Sequence, residues 1–189
     1  MFPSAATWYH LNPNENRVDW SKAIWFKGRI LKHAFISWVN MRHRLRTRDK
    51  LISWGLSVPS FCLLCNAQDE TRQHLFFDCE FTREVWNYFT SRAHVSPPPL
   101  FEDGVRWLKN PCHDKNVTMI LRLAHQASVY TLWKERNSRL HSGTSRPAAG
   151  IIMEIKALIR CHLDPLSRAQ SLRHHGPSFL ASWFGLFDA

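Results

Sequence analysis

Residues 62–79 read CLLCNAQDETRQHLFFDC, the most specific pattern in this 189-residue chain. Cys62 and Cys65 are separated by two residues, and His74 and Cys79 follow within the same eighteen residues. Zinc prefers a closed tetrahedron of thiolate and imidazole ligands, and a Cys-x-x-Cys pair reaches one ion from a tight turn. The stretch therefore predicts a structural Cys3His zinc knuckle with no coordination position left for an activated water.

Two other interpretations of this stretch carry less weight. Free cysteines are often buried without binding anything, so a Cys-x-x-Cys pair alone would be weak evidence for a metal. A redox dithiol would sit in a strand-then-helix pattern of the thioredoxin type, and no such pattern surrounds Cys62 and Cys65. Four donors in so short a segment favour Zn²⁺ over both.

The remaining cysteines, Cys112 and Cys161, lie far from this stretch and from each other. An odd cysteine count with one metal-like cluster suits a reducing, intracellular compartment better than a disulfide scaffold. The sequence contains no apolar run of about eighteen residues and no charged start followed by an apolar stretch. We therefore expect neither a membrane span nor a signal peptide.

The net charge of +10 is unevenly distributed along the chain. Residues 27–50, the basic segment, contain eight lysines and arginines and one aspartate, a net charge of +7. Residues 51–93, around the predicted knuckle, contain three arginines and five acidic residues, a net charge of −2. A lysine and arginine cluster attracts polyanions, so the basic segment is a candidate phosphate-binding surface. Composition alone leaves a solvated basic helix face equally open.

Helical spacing of apolar residues, with arginines gathered at the carboxyl end, predicts a helix over residues 32–45. Thr47 resembles an N-cap for a short helix over 48–54, which Gly55 would end. After the knuckle, aromatic and aliphatic residues on one face predict a helix over 80–91.

The proline run at 97–99 interrupts the chain, because no helix passes through three prolines. Apolar periodicity then predicts a long helix over 117–140, ended by His141-Ser142-Gly143. It also predicts an amphipathic helix over 151–163, stopped at Asp164-Pro165. The isoleucines of the second helix are expected to pack on the first. If they were exposed in a monomer, they would indicate a missing partner.

These elements predict an all-α fold with short extended pieces near the knuckle. A small helical bundle is organised around the Cys3His zinc knuckle, and a second group of long helices follows. The corresponding division is a zinc-binding domain over 1–93, a proline-rich linker over 94–100, a helical region over 101–165 and a tail over 166–189. Whether the tail docks or stays flexible is left open.

The sequence also resembles a known family, the reverse transcriptase zinc-binding domain from the carboxyl-terminal region of plant non-LTR (LINE-type) retrotransposon polyproteins. The resemblance spans about residues 8–92. The residues that carry it are WFKGR at 25–29, HAFISW at 33–38, TRDKL at 47–51, the four predicted ligands with Glu70 and HLFF at 74–77, and VW at 85–86. The segment YTLWKERN at 130–137 resembles a stretch that follows the domain in such polyproteins, extending the similarity to about residue 165.

The resemblance implies that Cys62, Cys65, His74 and Cys79 bind zinc and that the ancestral role was to hold template RNA or target DNA beside a polymerase. It also implies a nuclear location. Leu31 stands before Lys32-His33, at a position where members of the family commonly carry proline. This departure predicts a different start for the helix that follows. No polymerase aspartate pair, endonuclease or ribonuclease H motif is present, so we expect a detached, non-catalytic carboxyl-terminal piece.

The first functional hypothesis is a zinc module that binds RNA or single-stranded DNA through the basic segment. Its predicted nucleic-acid contacts are Arg42, Arg44, Arg46, Arg48 and Lys50. Arg42 and Arg46, four apart, are expected to share a helix face, as would Arg44 and Arg48 if the helix continued. Trp38 and Trp54 are candidates for stacking on unpaired bases. For Trp38, core packing is favoured, because it lies on the apolar stripe of the predicted helix.

The second hypothesis is a protein-interaction module or an inert transposon remnant, in which zinc is purely structural and helix 151–163 offers its apolar stripe to a partner. An enzyme is the weakest interpretation. Cys112-His113 and Cys161-His162 are adjacent pairs, but neighbouring side chains point in different directions and do not form a nucleophile with its base. Neither pair has an evident orienting acid, and His174-His175 lies in the tail.

Overall fold

The computed structural model describes residues 18–172 and 176–187, which form eight α-helices and one π turn. The α-helices are α1 (Ser21–Ile24), α2 (Leu31–Met41), α3 (Arg48–Ser53), α4 (Glu80–Arg92), α5 (Phe101–Trp107), α6 (Lys115–Ser142), α7 (Ala148–Ser171) and α8 (Phe179–Phe187), and the π turn spans His74–Asp78. Within the described residues the only extended pairing is an isolated antiparallel bridge between Phe61 and Asp69. The predicted all-α class is confirmed.

Helix α2 ends at Met41, four residues earlier than the sequence predicted. The end is a Schellman motif: His43 takes a left-handed φ of 54° and donates to Asn40 O at 2.9 Å, and Arg44 N–H donates to Val39 O at 3.0 Å. Glycine or asparagine usually occupies the left-handed position, so a histidine there gave no sequence signal. The expectation that Arg42 and Arg46 share a helix face is therefore wrong, since both follow the end of the helix.

The entry to α2 is unaffected by the family departure at Leu31. Leu31 is the first residue of the helix, and its side chain is 67% exposed. This first position is also where proline is best tolerated, because its missing N–H has no partner inside the helix. Leucine and proline are thus both compatible with the same helix start.

The long helix α6 is confirmed, with bounds slightly wider than predicted. The Asp114 side chain accepts hydrogen bonds from the N–H groups of Asn116 and Val117 and caps the amino end. Gly143 ends the helix in a left-handed conformation with φ of 64°, as the sequence indicated.

Helix α7 continues to Ser171, so the predicted stop at Asp164-Pro165 is wrong. A proline inside a helix removes one hydrogen bond and costs about 3 kcal/mol. Here the turns beyond Pro165 are held by α8: Leu180 N–H donates to Ser167 Oγ and Phe179 N–H to Gln170 Oε1, both at 2.9 Å. Tertiary contacts from the tail therefore outweigh the local preference of proline.

Part of the predicted tail is docked. In α8, Trp183 and Phe187 are buried, and Phe187 lies against the ring of Phe89 with centroids 5.7 Å apart. The His174-His175 pair lies outside the described residues, as do residues 1–17 of the predicted amino-terminal domain.

The core is one continuous apolar cluster with members on both sides of the proline run. Ile152, Ile155 and Ile159 of α7 are buried, and α7 packs along α6, which confirms the expected burial of this stripe. α2, α4 and α8 also pack on α6, so this helix forms the centre of the fold. The division into domains at residues 94–100 stays a prediction.

Candidate metal centre

The knuckle, residues 60–79, begins with a tight hairpin-like turn. Cys62 N–H donates to Gln68 O at 2.7 Å and Glu70 N–H donates to Ser60 O at 2.8 Å. Between them the chain reverses at Asn66, which has a left-handed φ of 55° and donates its N–H to Cys62 O at 2.8 Å. This turn presents the side chains of Cys62 and Cys65 to the same point.

The second half of the knuckle is the π turn over His74–Asp78, which the sequence analysis did not predict. In an α-helix, positions five apart are rotated by about 140° from each other, since a turn takes 3.6 residues. The wider i→i+5 turn is closed here by Cys79 N–H donating to His74 O at 2.8 Å. It allows His74 and Cys79, five positions apart, to face the same point as the cysteine pair.

The structure brings the four predicted ligands together. One ligand atom from each of Cys62, Cys65, His74 and Cys79 lies within 4.8 Å of all the others. His74 Nε2 is 3.2 Å from Cys65 Sγ, so this ring nitrogen faces the thiols. Cys65 is half-buried, and the other three ligands are buried.

This geometry fits a single zinc ion. Two thiolates bound tetrahedrally at about 2.3 Å from zinc lie about 3.8 Å apart, so the four atoms need only a small inward movement. A hydrogen bond between Cys62 and Cys79 lowers the pKa of the Cys79 thiol to about 5 and raises the pKa of the Cys62 thiol. A lowered thiol pKa favours the thiolate, which is the form that binds a metal.

Apolar side chains cover the ligand cluster. Leu64, Leu75 and Phe76 are buried around it, and Phe76 lies against the rings of Phe101 and Trp133. Thr82 Oγ1 donates to Leu75 O at 2.7 Å and ties the start of α4 to the π turn. A donor set enclosed in this way is typical of structural metal sites rather than catalytic ones.

The most important residue beyond the ligands is Glu70, which is fully buried. Its carboxylate accepts hydrogen bonds from Arg48 N–H at 3.1 Å and Leu63 N–H at 3.3 Å. Arg136 of α6 donates to the same carboxylate from Nε at 3.0 Å and from Nη2 at 2.7 Å. A buried charge is tolerated when paired and hydrogen-bonded in this manner.

A second arginine of α6 holds the Cys-x-x-Cys turn itself. Arg139 Nη1 donates to Leu64 O at 2.8 Å and to Leu63 O at 3.3 Å, while its Nε donates to Glu135 at 3.0 Å. Burial opposes ionisation of Glu135, but hydrogen bonds from Arg146 and Arg139 outweigh it and lower the pKa of this carboxyl. The knuckle is thus fixed to the central helix by buried charged groups.

Sequence reasoning identified Glu70 and segment 130–137 only as parts of a family resemblance. Glu70 and Arg136 are 66 positions apart, and in the sequence both look like ordinary solvated charges. The resemblance of segment 130–137 to a stretch following the zinc-binding domain was the only signal that could have linked them. In the structure, this segment contacts the knuckle through Trp133 and Arg136, and Arg139 just beyond it does so as well.

The predicted nucleic-acid residues fall into two groups. Arg42, Arg44 and Arg46 are exposed, and none of them pairs with a carboxylate among the described residues. Arg48 is engaged, because Nη1 of its guanidinium donates to Phe61 O at the knuckle, and Lys50 is half-buried. Three of the five predicted residues are therefore freely accessible to a polyanion.

The two tryptophans considered for base stacking differ in accessibility. Trp38 is partly buried and packs on the core, as the apolar stripe indicated. Trp54, just beyond α3, is 59% exposed. Only Trp54 presents most of its ring to solvent.

The two cysteines outside the knuckle lie away from the ligand cluster. Cys112 is near the amino end of α6, with its thiol 3.4 Å from Asp114 O, and Cys161 is exposed on α7. All five cysteines are free thiols. Among the described residues, no helix combines the length and apolar character needed to cross a membrane.

Fold and site together define a helical protein with a closed Cys3His metal-binding group. Residues 2–86 match the family model described as zinc-binding in reverse transcriptase, and this range contains all four clustered ligands. The amino-terminal part of the chain is therefore similar to the zinc-binding domain of reverse transcriptases. No curated protein and no solved structure matches the chain. An origin in a plant LINE-type element stays a prediction.

Proposed function

We propose that this chain is a non-catalytic zinc module in which Cys62, Cys65, His74 and Cys79 hold one Zn²⁺. The observation that carries the proposal is the convergence of four soft donor atoms within 4.8 Å inside an apolar enclosure. Bound zinc would supply a cross-link between the turn and the π turn. The chain's own residues exclude water from the cluster and hold its backbone.

Metal analysis of the purified protein tests this assignment directly. We expect one zinc per chain, and the same stoichiometry after Cys112→Ser, because that thiol lies outside the cluster. Less than one zinc after Cys65→Ser, with Cys112→Ser as the matched control, would support the four-ligand set. Full zinc content in Cys65→Ser protein would contradict it.

The module's proposed activity is binding of RNA or single-stranded DNA through phosphates. Support comes from the exposed and unpaired guanidinium groups of Arg42, Arg44 and Arg46, with Lys50 and Arg48 beside them. The knuckle is a weaker candidate surface, because its own net charge is negative and its arginine partners from α6 are committed to buried contacts. Exposed arginines bind phosphates without reading sequence, so we expect little sequence preference.

A salt titration with single-stranded RNA, single-stranded DNA and duplex DNA tests the activity. Arg42, Arg44 and Arg46 are changed to glutamine together, and Arg48 is kept because it supports the knuckle. The slope of log affinity against log salt should fall by about 2, since each lost contact to a single strand removes about 0.7. Zinc content should not change. Equal binding by this variant, with loss of binding after Arg83→Gln, would place recognition beside the knuckle instead, at the start of α4.

A protein-interaction module, or a remnant in which zinc is purely structural, is the second candidate. One observation favours it: Leu31, Phe35 and Trp54 are each more than half exposed on α2 and near α3. The stripe of helix 151–163 is used in the chain's own core, so a protein partner would contact other surfaces. If the parent protein bound no nucleic acid at low salt, the first candidate function would be excluded and this second one would remain.

A further inference from the structure

A cleft of about 1320 Å³ opens on the side of the molecule where α6 begins. Three separate parts of the chain form it: the loop before α2, the loop between α5 and α6 together with the first turns of α6, and the end of α7 with the start of α8. It is open to solvent and larger than the 300–1,000 Å³ that is usual for small-molecule pockets. Its size suits a section of a polymer better than an enclosed metabolite.

The lining of this cleft carries one sign of charge. Lys27, Lys109, Lys115 and Arg122 line it together with His113, and none of the described lining residues is an aspartate or glutamate. The nearby Asp114 carboxylate is engaged in capping the N–H groups at the start of α6. No ion pair joins these lysines to a carboxylate in the described part of the chain. Such a concave surface concentrates positive potential.

Arg122 adds a fixed cation to the wall of the cleft. Its Nε donates to Leu108 O at 2.7 Å and its Nη2 donates to Lys109 O at 2.6 Å, and the guanidinium lies 5.6 Å from the Phe26 ring centroid. Burial lowers the pKa of this guanidinium, and no carboxylate offsets that cost. A half-buried arginine paired only with carbonyl groups leaves its positive charge uncompensated at the cleft.

The cleft is preformed. Gly28, in one wall, has a φ of 84°, and a Cβ at this position would lie 2.5 Å from Met119 Cε. His162 Nε2 is 2.7 Å from Gly28 O, which fixes this loop on α7. On the opposite wall, Gln170 Nε2 donates to Asn116 Oδ1 at 2.9 Å, which joins α7 to α6. The positive groups are therefore presented by a rigid frame.

We infer that this cleft binds the phosphate backbone of a single-stranded nucleic acid. The inference rests on the proposed nucleic-acid function and assigns it a second contact surface. Flexible lysines in a positive groove follow the irregular spacing of phosphates in a single strand, and the sparse aromatic lining gives little base selection. The cleft is distinct from the arginines after α2, because Lys27 precedes and Arg42 follows this eleven-residue helix, which is about 16 Å long.

The test uses zinc-loaded full-length protein and a labelled single-stranded RNA of mixed sequence. Lys27, Lys109 and Lys115 are changed to glutamine together, leaving the buried contacts of Arg122 intact. The matched control removes the same charge at exposed positions away from the cleft, with Lys22, Arg92 and Arg160 changed to glutamine. We expect the cleft variant to lower the salt slope by about 2 and the control variant to leave it nearly unchanged.

A second readout locates the contact without substitutions. Lysine acetylation followed by mass spectrometry should show that bound RNA protects Lys27, Lys109 and Lys115 but not Lys22. Parent protein that binds no RNA at low salt overturns the proposed function and this inference with it. If the parent protein binds RNA, and the cleft variant binds it as well as the parent or as well as the control variant does, only the cleft assignment is overturned.

Discussion

The knuckle and the α6–α7 helix pair lie against each other but are held by different interactions. In the knuckle two thiols, an imidazole and the Glu70 carboxylate, which is bonded to Arg136, are buried beside apolar side chains, and the third thiol, Cys65, is half-buried. In the helix pair the stripe by which α7 packs on α6 is aliphatic, with Ile155 and Ile159 of α7 fully enclosed. Polar sites depend on geometry and partners, whereas apolar contacts depend mainly on volume.

The difference concerns what each region needs in order to fold. The knuckle has one short π turn and one isolated bridge, so its backbone gains little from regular secondary structure. We expect it to depend on the proposed zinc ion, and two arginines supplied by α6 hold it. Helices α6 and α7 have 28 and 24 residues and share a continuous apolar interface, so they do not need the knuckle in the same way.

Removal of zinc should give the largest effect and should separate the two regions. Structural zinc contributes on the order of 10 kcal/mol of apparent binding free energy, so a chelator or Cys62→Ser should unfold the knuckle. The α6–α7 pair should keep most of its helix signal in circular dichroism. Cys112→Ser is the control. Unchanged zinc content and thermal midpoint in the Cys62→Ser protein would show that the knuckle does not depend on the ion.

The buried ion pair between the two regions should give the next largest effect. Arg136→Met leaves Glu70 buried without its charged partner, and breaking a buried pair costs about 3–5 kcal/mol. Lys134→Met on the same helix is the control, because Lys134 is 58% exposed and its pair with Glu154 is a surface contact. Urea unfolding measures both. If the two substitutions lowered the free energy of unfolding by similar amounts, the buried Glu70–Arg136 pair would contribute no more than a surface contact.

An apolar truncation in the helix pair should cost somewhat less and should spare the knuckle. Ile155→Ala creates a cavity in a fully buried stripe and should lower the free energy of unfolding by about 3 kcal/mol. Met153→Ala, at a side chain 64% exposed, should change it by less than about 0.5 kcal/mol. The zinc content of both proteins should equal that of the parent. Loss of zinc after Ile155→Ala would show that the two regions unfold as one unit.

Features whose cause is local could be predicted from the sequence. The four metal ligands lie within eighteen residues, and their spacing alone predicts where they meet. The bounds of α4 and α6 follow from apolar periodicity and, for α6, from the Gly143 stop. These features needed no knowledge of distant contacts.

Features decided by distant or unusual contacts could not be predicted. The Glu70–Arg136 pair joins groups 66 positions apart, and the passage of α7 through Pro165 depends on α8. The end of α2 depends on His43 adopting a conformation that glycine or asparagine usually takes. The basic cleft assembles three separate segments, so charge counts along the chain did not reveal it.

Acid should act on both regions through different groups, and His125 isolates the effect on the helical core. His125 is buried between Trp86 and Phe101, and burial lowers its pKa from 6.5 to about 4. The unfolded chain therefore binds more protons between pH 6.5 and pH 4, so stability falls as the pH decreases through this window. At pH 5 the loss from this group is about 2 kcal/mol.

His125→Phe should remove this part of the acid sensitivity, because phenylalanine has a similar ring and no proton to bind. Zinc release at low pH affects parent and variant alike, so the quantity to measure is their difference in unfolding free energy at pH 7 and at pH 5. That difference should shift by about 2 kcal/mol in favour of the variant at pH 5. His141→Gln, at an exposed position, is the control and should show no shift. An equal pH dependence in His125→Phe and parent would mean that protonation of His125 contributes nothing to the acid sensitivity.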